Sequence, residues 1–227
     1  MMILSEQTIN VLKNFAQINP SIQFKPGEVM TTVSPQKTVM AKATVEETFP
    51  SGGAIYDLNR FLGVLSLFDE PELIFNDKMV TVSKEKKKIN YTFADPQMII
   101  TPPEKEINFP EPEVTVDVTW AEIQQVLRAA SVMQLPEIAL IGSSGEVHLS
   151  AIDSKNPTAD VYSSEVGETN DEFTFIFKVE NLKLLNLSYI IQVSERGIAK
   201  FTSSNTYGPK VEYWVATESN STFEKMS

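Results

Sequence analysis

The segment AIYDLNRFLGVLSL, residues 54–67, carries a clear helix signal in a chain whose other apolar residues mostly alternate as they do in strands. Its polar side carries Arg60, Gly63 and Ser66, at helical spacing. An acid in the first turn, Asp57, lies where the helix dipole favours negative charge. We predict an amphipathic helix over about 57–68, with one apolar side made of Leu58, Phe61, Leu62 and Leu65.

Three more segments follow the same plan, an acid in the first turn and a base further along. They span about 5–17, 119–131 and 179–187. Ser5 is a plausible N-cap, and Thr119 and Glu122 have the spacing of a capping box. The four acid and base pairs are Glu6 and Lys13, Asp57 and Arg60, Glu122 and Arg128, and Glu180 and Lys183.

The helices and strands come in one order that occurs twice: helix, three strands, a linking strand, helix, three strands. The order of elements, and not residue identity, suggests a duplication. We therefore predict two domains, 1–110 and 111–227. Between them a proline-rich connector, 94–117, holds five prolines, and an irregular stretch of that length is usually a linker or a binding loop. We expect no regular structure there.

Composition places the chain among ordinary globular proteins. Its 227 residues are 42% hydrophobic and 22% charged, and none is cysteine. Disulfides and thiolate metal sites are therefore excluded, and a reducing compartment is favoured. The first residues do not resemble a signal peptide, and no run approaches the roughly 18 apolar residues that a membrane-spanning helix needs.

The net charge of −11 is unevenly distributed. Residues 1–110 carry 11 bases and 13 acids, whereas residues 111–227 carry 8 bases and 17 acids. Each predicted helix balances one acid with one base, so the helices are neutral parts of an acidic protein.

Common catalytic and ligand-binding patterns are missing. The single histidine, His148, lies in a strand pattern, and Gly52-Gly53 lacks the Lys-Ser/Thr of a phosphate loop. The acids in 69–72 lack the spacing of a calcium loop. We predict no enzyme activity, metal or cofactor. The basic run 84–88 fits an exposed hairpin tip, and contact with a nucleic-acid backbone is the alternative.

The polar helix faces combine single bases with amides and have no aromatic residue. Amides can hydrogen-bond phosphates without adding charge, and base stacking needs aromatic rings. Such faces suit weak, sequence-independent contact with a duplex backbone, although ordinary surface charge is the alternative. The amides are Asn10, Asn14, Gln124, Gln125 and Asn181.

The chain resembles the sliding clamps of T-even-type bacteriophages, the processivity factors of their DNA polymerases. Residues 12–19 (LKNFAQIN) and 54–67 carry the resemblance, and Ala94-Asp95-Pro96 and 124–128 (QQVLR) are similar too. It implies an α+β DNA-clamp fold with two similar domains, each with antiparallel sheets and two helices. It also implies a homotrimeric ring whose helices line the hole and whose sheets continue across subunit boundaries by edge pairing.

The resemblance implies double-stranded DNA, the phage DNA polymerase and an ATP-dependent clamp loader as partners. Late-transcription factors are a further expected partner, because clamps of this family also help to activate late viral transcription. The expected location is the cytoplasm of the infected bacterial host, without a membrane partner.

Site residues carried over from the family fall into two groups. The expected DNA contacts are Lys13, Asn14, Arg60, Gln125, Arg128 and Lys183. The expected groove for hydrophobic terminal peptides of polymerase and loader is walled by Ile99, Ile100, Phe109, Tyr213 and Trp214. The alternative for the groove residues is that they only seal the domain junction. The rival function is a β-rich, oligomeric virion or scaffold protein that does not bind DNA.

Overall fold

A computed structural model describes residues 1–105 and 107–225. The chain divides into two compact units. The first comprises Met1–Glu106 with Tyr207–Glu212, and the second comprises Ile107–Thr206 with Tyr213–Ser227.

Two α-helices of the first unit occupy the predicted places. Helix α1 spans Glu6–Ile18 and helix α2 spans Leu58–Leu65, and they pack against each other. The Ser5 hydroxyl accepts a hydrogen bond from the Thr8 N–H at 3.2 Å, which confirms the predicted N-cap. Helix α2 ends earlier than predicted, because the N–H groups of residues 67 and 68 turn to carbonyls three residues back.

The strands of the first unit pair in antiparallel fashion. Strand β1 pairs with β4, β2 pairs with β3, and β5, β6 and β7 pair in that order. The alternating burial of strand β3 continues to Phe49, which stacks on Phe24 with the two ring centroids 4.8 Å apart. The strands are β1 (Ile22–Phe24), β2 (Gly27–Val33), β3 (Val39–Phe49), β4 (Gly53–Ile55), β5 (Glu72–Phe75), β6 (Met79–Lys84) and β7 (Lys87–Thr92).

Close packing accounts for a glycine that the sequence left unexplained. A Cβ built on Gly53 would lie 2.4 Å from the Phe93 ring, a distance that real Cβ atoms do not reach. The glycine therefore lets an aromatic ring lie directly on strand β4.

The described residues of the second unit contain one α-helix, α3 (Trp120–Met133). The Thr119 and Glu122 side chains bond each other's backbone N–H groups, which confirms the capping box. Strands β11, β10, β9, β12 and β16 form a five-stranded antiparallel sheet, and β13 pairs with both β8 and β14. These strands are β8 (Val114–Val118), β9 (Glu137–Ser143), β10 (Glu146–Ile152), β11 (Tyr162–Glu168), β12 (Glu172–Lys178), β13 (Tyr189–Ser194), β14 (Ile198–Ser203) and β16 (Thr222–Glu224), with β15 at Lys210–Ala216.

The helix predicted over 179–187 is wrong. The structure has a single 3₁₀ turn, Val179–Asn181, followed by irregular backbone. The Leu185 N–H donates to the Tyr213 hydroxyl at 3.1 Å, and the Tyr189 hydroxyl donates to the Leu185 carbonyl at 2.9 Å. Because two buried phenols take the groups that a helix would pair internally, tertiary contacts override helix propensity here. Burial raises the pKa of both phenols, so both keep the proton.

The connector is more regular than predicted. Pro96–Met98 forms a 3₁₀ turn whose N-terminus is capped by Asp95, and residues 114–117 belong to strand β8. The alternation of buried valines at 114, 116 and 118 with exposed Thr115 and Asp117 is a strand pattern that the proline content obscured. Asn19 fixes the start of the connector, since its amide donates to the Ile100 carbonyl at 3.0 Å.

The predicted repetition of element order is otherwise present. A helix, three strands and a linking strand occur in each unit, and three further strands follow the second helix or its substitute. The substitute is the 3₁₀ turn of the second unit, so the structure departs from two helices per domain at that one place within the described residues.

A half-buried carboxylate fastens the start of α1 to strand β3. Glu47 accepts hydrogen bonds from the Ser5 N–H and the Thr8 hydroxyl. Burial alone would raise the pKa of this carboxyl, but the hydrogen bonds from Thr8 and Ser5 outweigh it and lower the pKa. A group with a lowered folded-state pKa stabilises the fold above its unfolded pKa, and that stability disappears as the pH falls through the folded value.

Glu47→Gln should therefore lower the free energy of unfolding by about 1 kcal/mol near neutral pH, because a charged acceptor at a helix N-terminus is lost. The difference from the unsubstituted chain should shrink as the pH falls below the ordinary glutamate range and through the lowered folded-state pKa of Glu47. Urea unfolding as a function of pH measures both effects. The control is Glu46→Gln at the exposed neighbouring position, and an equal effect of both substitutions would contradict the assignment.

Candidate nucleic-acid interface

Helix α1 presents one base on a mostly uncharged face. Its exposed residues are Glu6, Asn10, Lys13 and Gln17, and its opposite side packs into the unit core. Asn14, which was predicted to lie on this face, does not lie there. Asn14 is only 5% exposed, because its position borders the packed stripe of the helix and it makes contacts of its own there.

Helix α2 presents Arg60 in its first turn. The Asp57 side chain caps the helix by accepting from the Arg60 N–H at 2.9 Å, which leaves the exposed guanidinium group outside this bond. The hydroxyl of Tyr91 donates to the Asp57 carbonyl at 3.1 Å. Burial raises the pKa of Tyr91, Asp57 adds to the rise, and Arg60 opposes it. Asn59 is also exposed, and our prediction missed it although it directly precedes Arg60.

In the second unit, helix α3 presents Gln124, Gln125 and Arg128, which are all exposed. The one acid of this helix, Glu122, accepts from the Thr119 N–H and hydroxyl at 2.7 and 2.6 Å. It is therefore held at the N-terminus, and Arg128 lies further along a face that otherwise carries amides.

Lys183 does not lie on a helix, contrary to the prediction. It falls in the irregular segment after the 3₁₀ turn, is half-buried and has a contact with another group. The neighbouring Asn181, predicted to lie on a polar face, is only 8% exposed. The positions of Lys183 and Asn181 both differ from the prediction because the fourth helix is replaced by an irregular segment that Tyr189 and Tyr213 hold by hydrogen bonds to Leu185.

Three cations of the predicted set are thus exposed on helices: Lys13, Arg60 and Arg128. Ion pairs elsewhere in the described residues, such as Lys178 with Glu218 at 3.8 Å, do not include them. In each helix the acid lies at or next to the N-terminus, so these charges remain available to an external anion. Such sparse charge gives weak attraction for phosphates and no reading of base edges.

The predicted groove residues separate into exposed and buried groups. Ile100 is 44% exposed, and Ile99 and Phe109 are half-buried. The structure does not support Tyr213 and Trp214 as walls of a surface groove, because they are 0% and 8% exposed. Tyr213 instead holds Leu185, and the Lys200 ammonium lies 5.5 Å from the Trp214 ring centroid.

Other chemistry is sparse in the part of the chain that the structure describes. His148 lies on strand β10 with its Nε2 3.4 Å from the Glu146 carboxylate. No group of three or more potential metal ligands occurs in residues 1–105 and 107–225. None of the helices over the same residues has the length and apolar character needed to cross a bilayer.

Family models match both units. The model described as DNA polymerase processivity factor matches residues 5–101, and the model described as gp45 sliding clamp, C terminal, matches residues 115–219. The sliding clamp of Vibrio phage KVP40 is 32% identical over 225 residues, covering 96% of this chain and 99% of the relative. The sliding clamp of Enterobacteria phage T4 is 30% identical over 233 residues, covering 98% and 100%.

Solved structures share the fold at low identity. The archaeal clamp in a structure described as the C-terminal region of FEN-1 bound to A. fulgidus PCNA superposes with a TM-score of 0.71 and 16% identity. The match covers 95% of this chain and 96% of that one. The similarity extends over both units, which agrees with the predicted clamp fold of two similar domains. The chain belongs to the family of bacteriophage sliding clamps, the non-catalytic processivity factors of phage DNA polymerases.

Proposed function

We propose that the chain performs this family role as a closed homotrimer that encircles duplex DNA and holds the polymerase on it. The two clamp domains are residues 1–110 and 111–227, with most of the connector in the first. The observation that carries the proposal is a set of exposed bases, Lys13, Arg60 and Arg128, on helices whose acids lie at or next to the N-terminus, in a chain of net charge −11.

Weak contact is what such a ring requires. A ring retains DNA by its topology, so strong affinity would only slow its movement. The logarithm of affinity falls with the logarithm of salt by about 0.9 per neutralised phosphate, so a few bases per chain attract the duplex loosely. The acidic remainder of the protein discourages DNA from binding elsewhere. Gln125 and Gln124 add hydrogen bonds to phosphates without adding charge.

We assign Lys183 and Asn14 a smaller contribution to DNA binding than the three exposed bases. Lys183 is half-buried and off the helix, so it approaches DNA only through the free end of a long side chain. Asn14 is buried in α1, so we assign it no contact with a phosphate.

The connector supplies the partner site. Ile100 and Met98 are exposed apolar residues beside a backbone that Asn19 fixes, an arrangement suited to the apolar end of a partner peptide. A clamp of the same fold, A. fulgidus PCNA, has been solved with the C-terminal region of FEN-1 bound, which supports peptide docking as a general clamp mode. The peptides proposed here are the termini of the phage polymerase and of its ATP-dependent loader, with Ile99 as a further contact, and the contact expected of Phe109 stays a prediction.

The proposal includes no catalytic group and no bound nucleotide, and it places the ring in the cytoplasm of the infected bacterium during replication. The expected contact with late-transcription factors stays a prediction. The rival reading, a virion or scaffold protein that does not bind DNA, is not favoured by similarity to polymerase processivity factors over both units.

Replacing Lys13, Arg60 and Arg128 together with Ala should reduce loading and processivity while the oligomer stays intact. The slope of log affinity for a short linear duplex against log salt should become shallower by up to about 8, since three phosphate contacts are lost in each of the three chains of the ring. Fluorescence anisotropy with labelled duplex measures the slope. The matched control replaces the exposed Lys25, Lys37 and Lys78 with Ala. Equal slopes for the two triple variants would refute the assignment of the bases to DNA.

Ile100→Ser should weaken binding of the polymerase C-terminal peptide by about tenfold, because burying one aliphatic side chain contributes at least about 1.5 kcal/mol. DNA encirclement should survive. The control is Ile74→Ser, because Ile74 is 46% exposed against 44% for Ile100 and lies on strand β5 of the same unit. Calorimetric titration with the peptide distinguishes them, and unchanged affinity for Ile100→Ser would place the groove elsewhere.

A further inference from the structure

We propose that opposite charges on two unpaired strand edges, β7 and β11, form an electrostatic latch between successive copies of this chain. The inference rests on the proposed ring. It names the charged residues that select the partner edge and that make closure of the ring depend on salt. It also gives a role to the basic run 84–88, which the DNA-binding faces leave unused.

Both strands end their sheets. Strand β7 is the last strand of the β5-β6-β7 sheet, and β11 is the first strand of the five-stranded sheet. Within the described residues, no named strand pairs with the outer edge of either one. Edge strands expose rows of N–H and C=O groups that pair readily with another chain. Since the two edges differ and belong to different units, one copy's β7 meeting another copy's β11 is a head-to-tail contact, which can close into a ring.

The charges of the two edges are opposite. Lys87 and Lys88 begin β7, and Lys84 and Lys86 lie at the same hairpin end around a single acid, Glu85. Strand β11 carries Glu165 and Glu168, both exposed, and Glu146 lies opposite Glu168 on the neighbouring β10. His148, which lies opposite Glu165, is 3.4 Å from Glu146. A lysine edge meeting a glutamate edge is favoured, whereas two copies of either edge repel each other.

Alternation along the strands is compatible with this pairing. Ile89 and Tyr91 lie opposite the buried Val82 and Val80 on β6, so Lys88 and Asn90 face the other side of the sheet. An antiparallel register with Lys88 opposite Glu165 brings Asn90 opposite Ser163, and it brings Glu168 to the level of the lysine-rich turn.

Apolar surface lies beside each edge. A cavity of about 430 Å³ next to β7 is lined by Tyr56, Val64 and Ile89 among others, and Tyr56 is 60% exposed. Val161, the residue before β11, is 59% exposed. Helix α3 packs on β11, and Val132 near the end of that helix is 77% exposed. A second copy that brings Val161 or Val132 into this cavity removes both exposed surfaces from water.

Charge reversal with rescue tests the latch. The variants are Lys87→Glu with Lys88→Glu, Glu165→Lys with Glu168→Lys, and the fourfold combination, measured by sedimentation in about 0.05 M and about 0.5 M NaCl. Each double variant should need at least about tenfold more protein to form the trimer, because like charges then face each other. The fourfold variant should restore the trimer. Added salt should weaken the unsubstituted trimer and strengthen that of the double variants.

The control replaces the exposed Lys25 and Lys37 with Glu, which changes net charge equally at another place and should leave the trimer unchanged. Circular dichroism identifies any variant that fails to fold, and the salt response of the unsubstituted chain is then the remaining test. A trimer that responds to neither reversal nor salt overturns the latch but leaves the ring proposal standing. An unsubstituted chain that sediments as a monomer under all conditions overturns both.

Discussion

Burial of one side of each short helix against antiparallel strands is the constraint on which the rest of the structure depends. In α1 the stripe Val11, Leu12 and Phe15 is fully buried, so the opposite stripe must face outward. In α3, Ile123, Val126 and Ala130 play the same part. Because the packed stripes fix the helix rotation, Lys13 and Arg128 are exposed without any specific bond holding them there.

Capping places the charges along each helix. Glu122 in α3 is bound to the backbone at its own helix N-terminus, Asp57 caps α2, and Glu47 reaches from a strand to the start of α1. These acids satisfy N–H groups that a helix leaves unpaired and complement its dipole. The same arrangement keeps them away from most of the outward face, which therefore carries amides and single bases. The placement of acids at the helix N-termini thus both stabilises the helices and leaves the bases exposed to attract a polyanion weakly.

Much of this could be predicted from the sequence because the signals are local. The periodicity of 58–65, the Ser5 cap and the Thr119 and Glu122 capping box all appear in the structure. The failures mostly involve distant partners. Leu185 donates its backbone N–H to the hydroxyl of Tyr213, 28 residues further along the chain, and no pattern within 179–187 indicates this contact. The burial of Asn14 and of Trp214 likewise depends on elements far away in sequence. Strand β8 was not predicted for another reason. The many prolines before it indicated an irregular connector, although buried and exposed residues alternate regularly from 114 to 118.

The proposed clamp must enclose DNA, since attraction from a few bases cannot by itself hold a polymerase for long. The most direct measurement follows labelled protein, loaded by the proposed ATP-dependent loader, on a nicked circular plasmid before and after a single restriction cut. We predict that the protein stays with the circular plasmid through gel filtration. It should be released after the cut, because free ends allow the ring to slide off. Equal retention on circular and linear DNA would contradict enclosure and indicate ordinary binding.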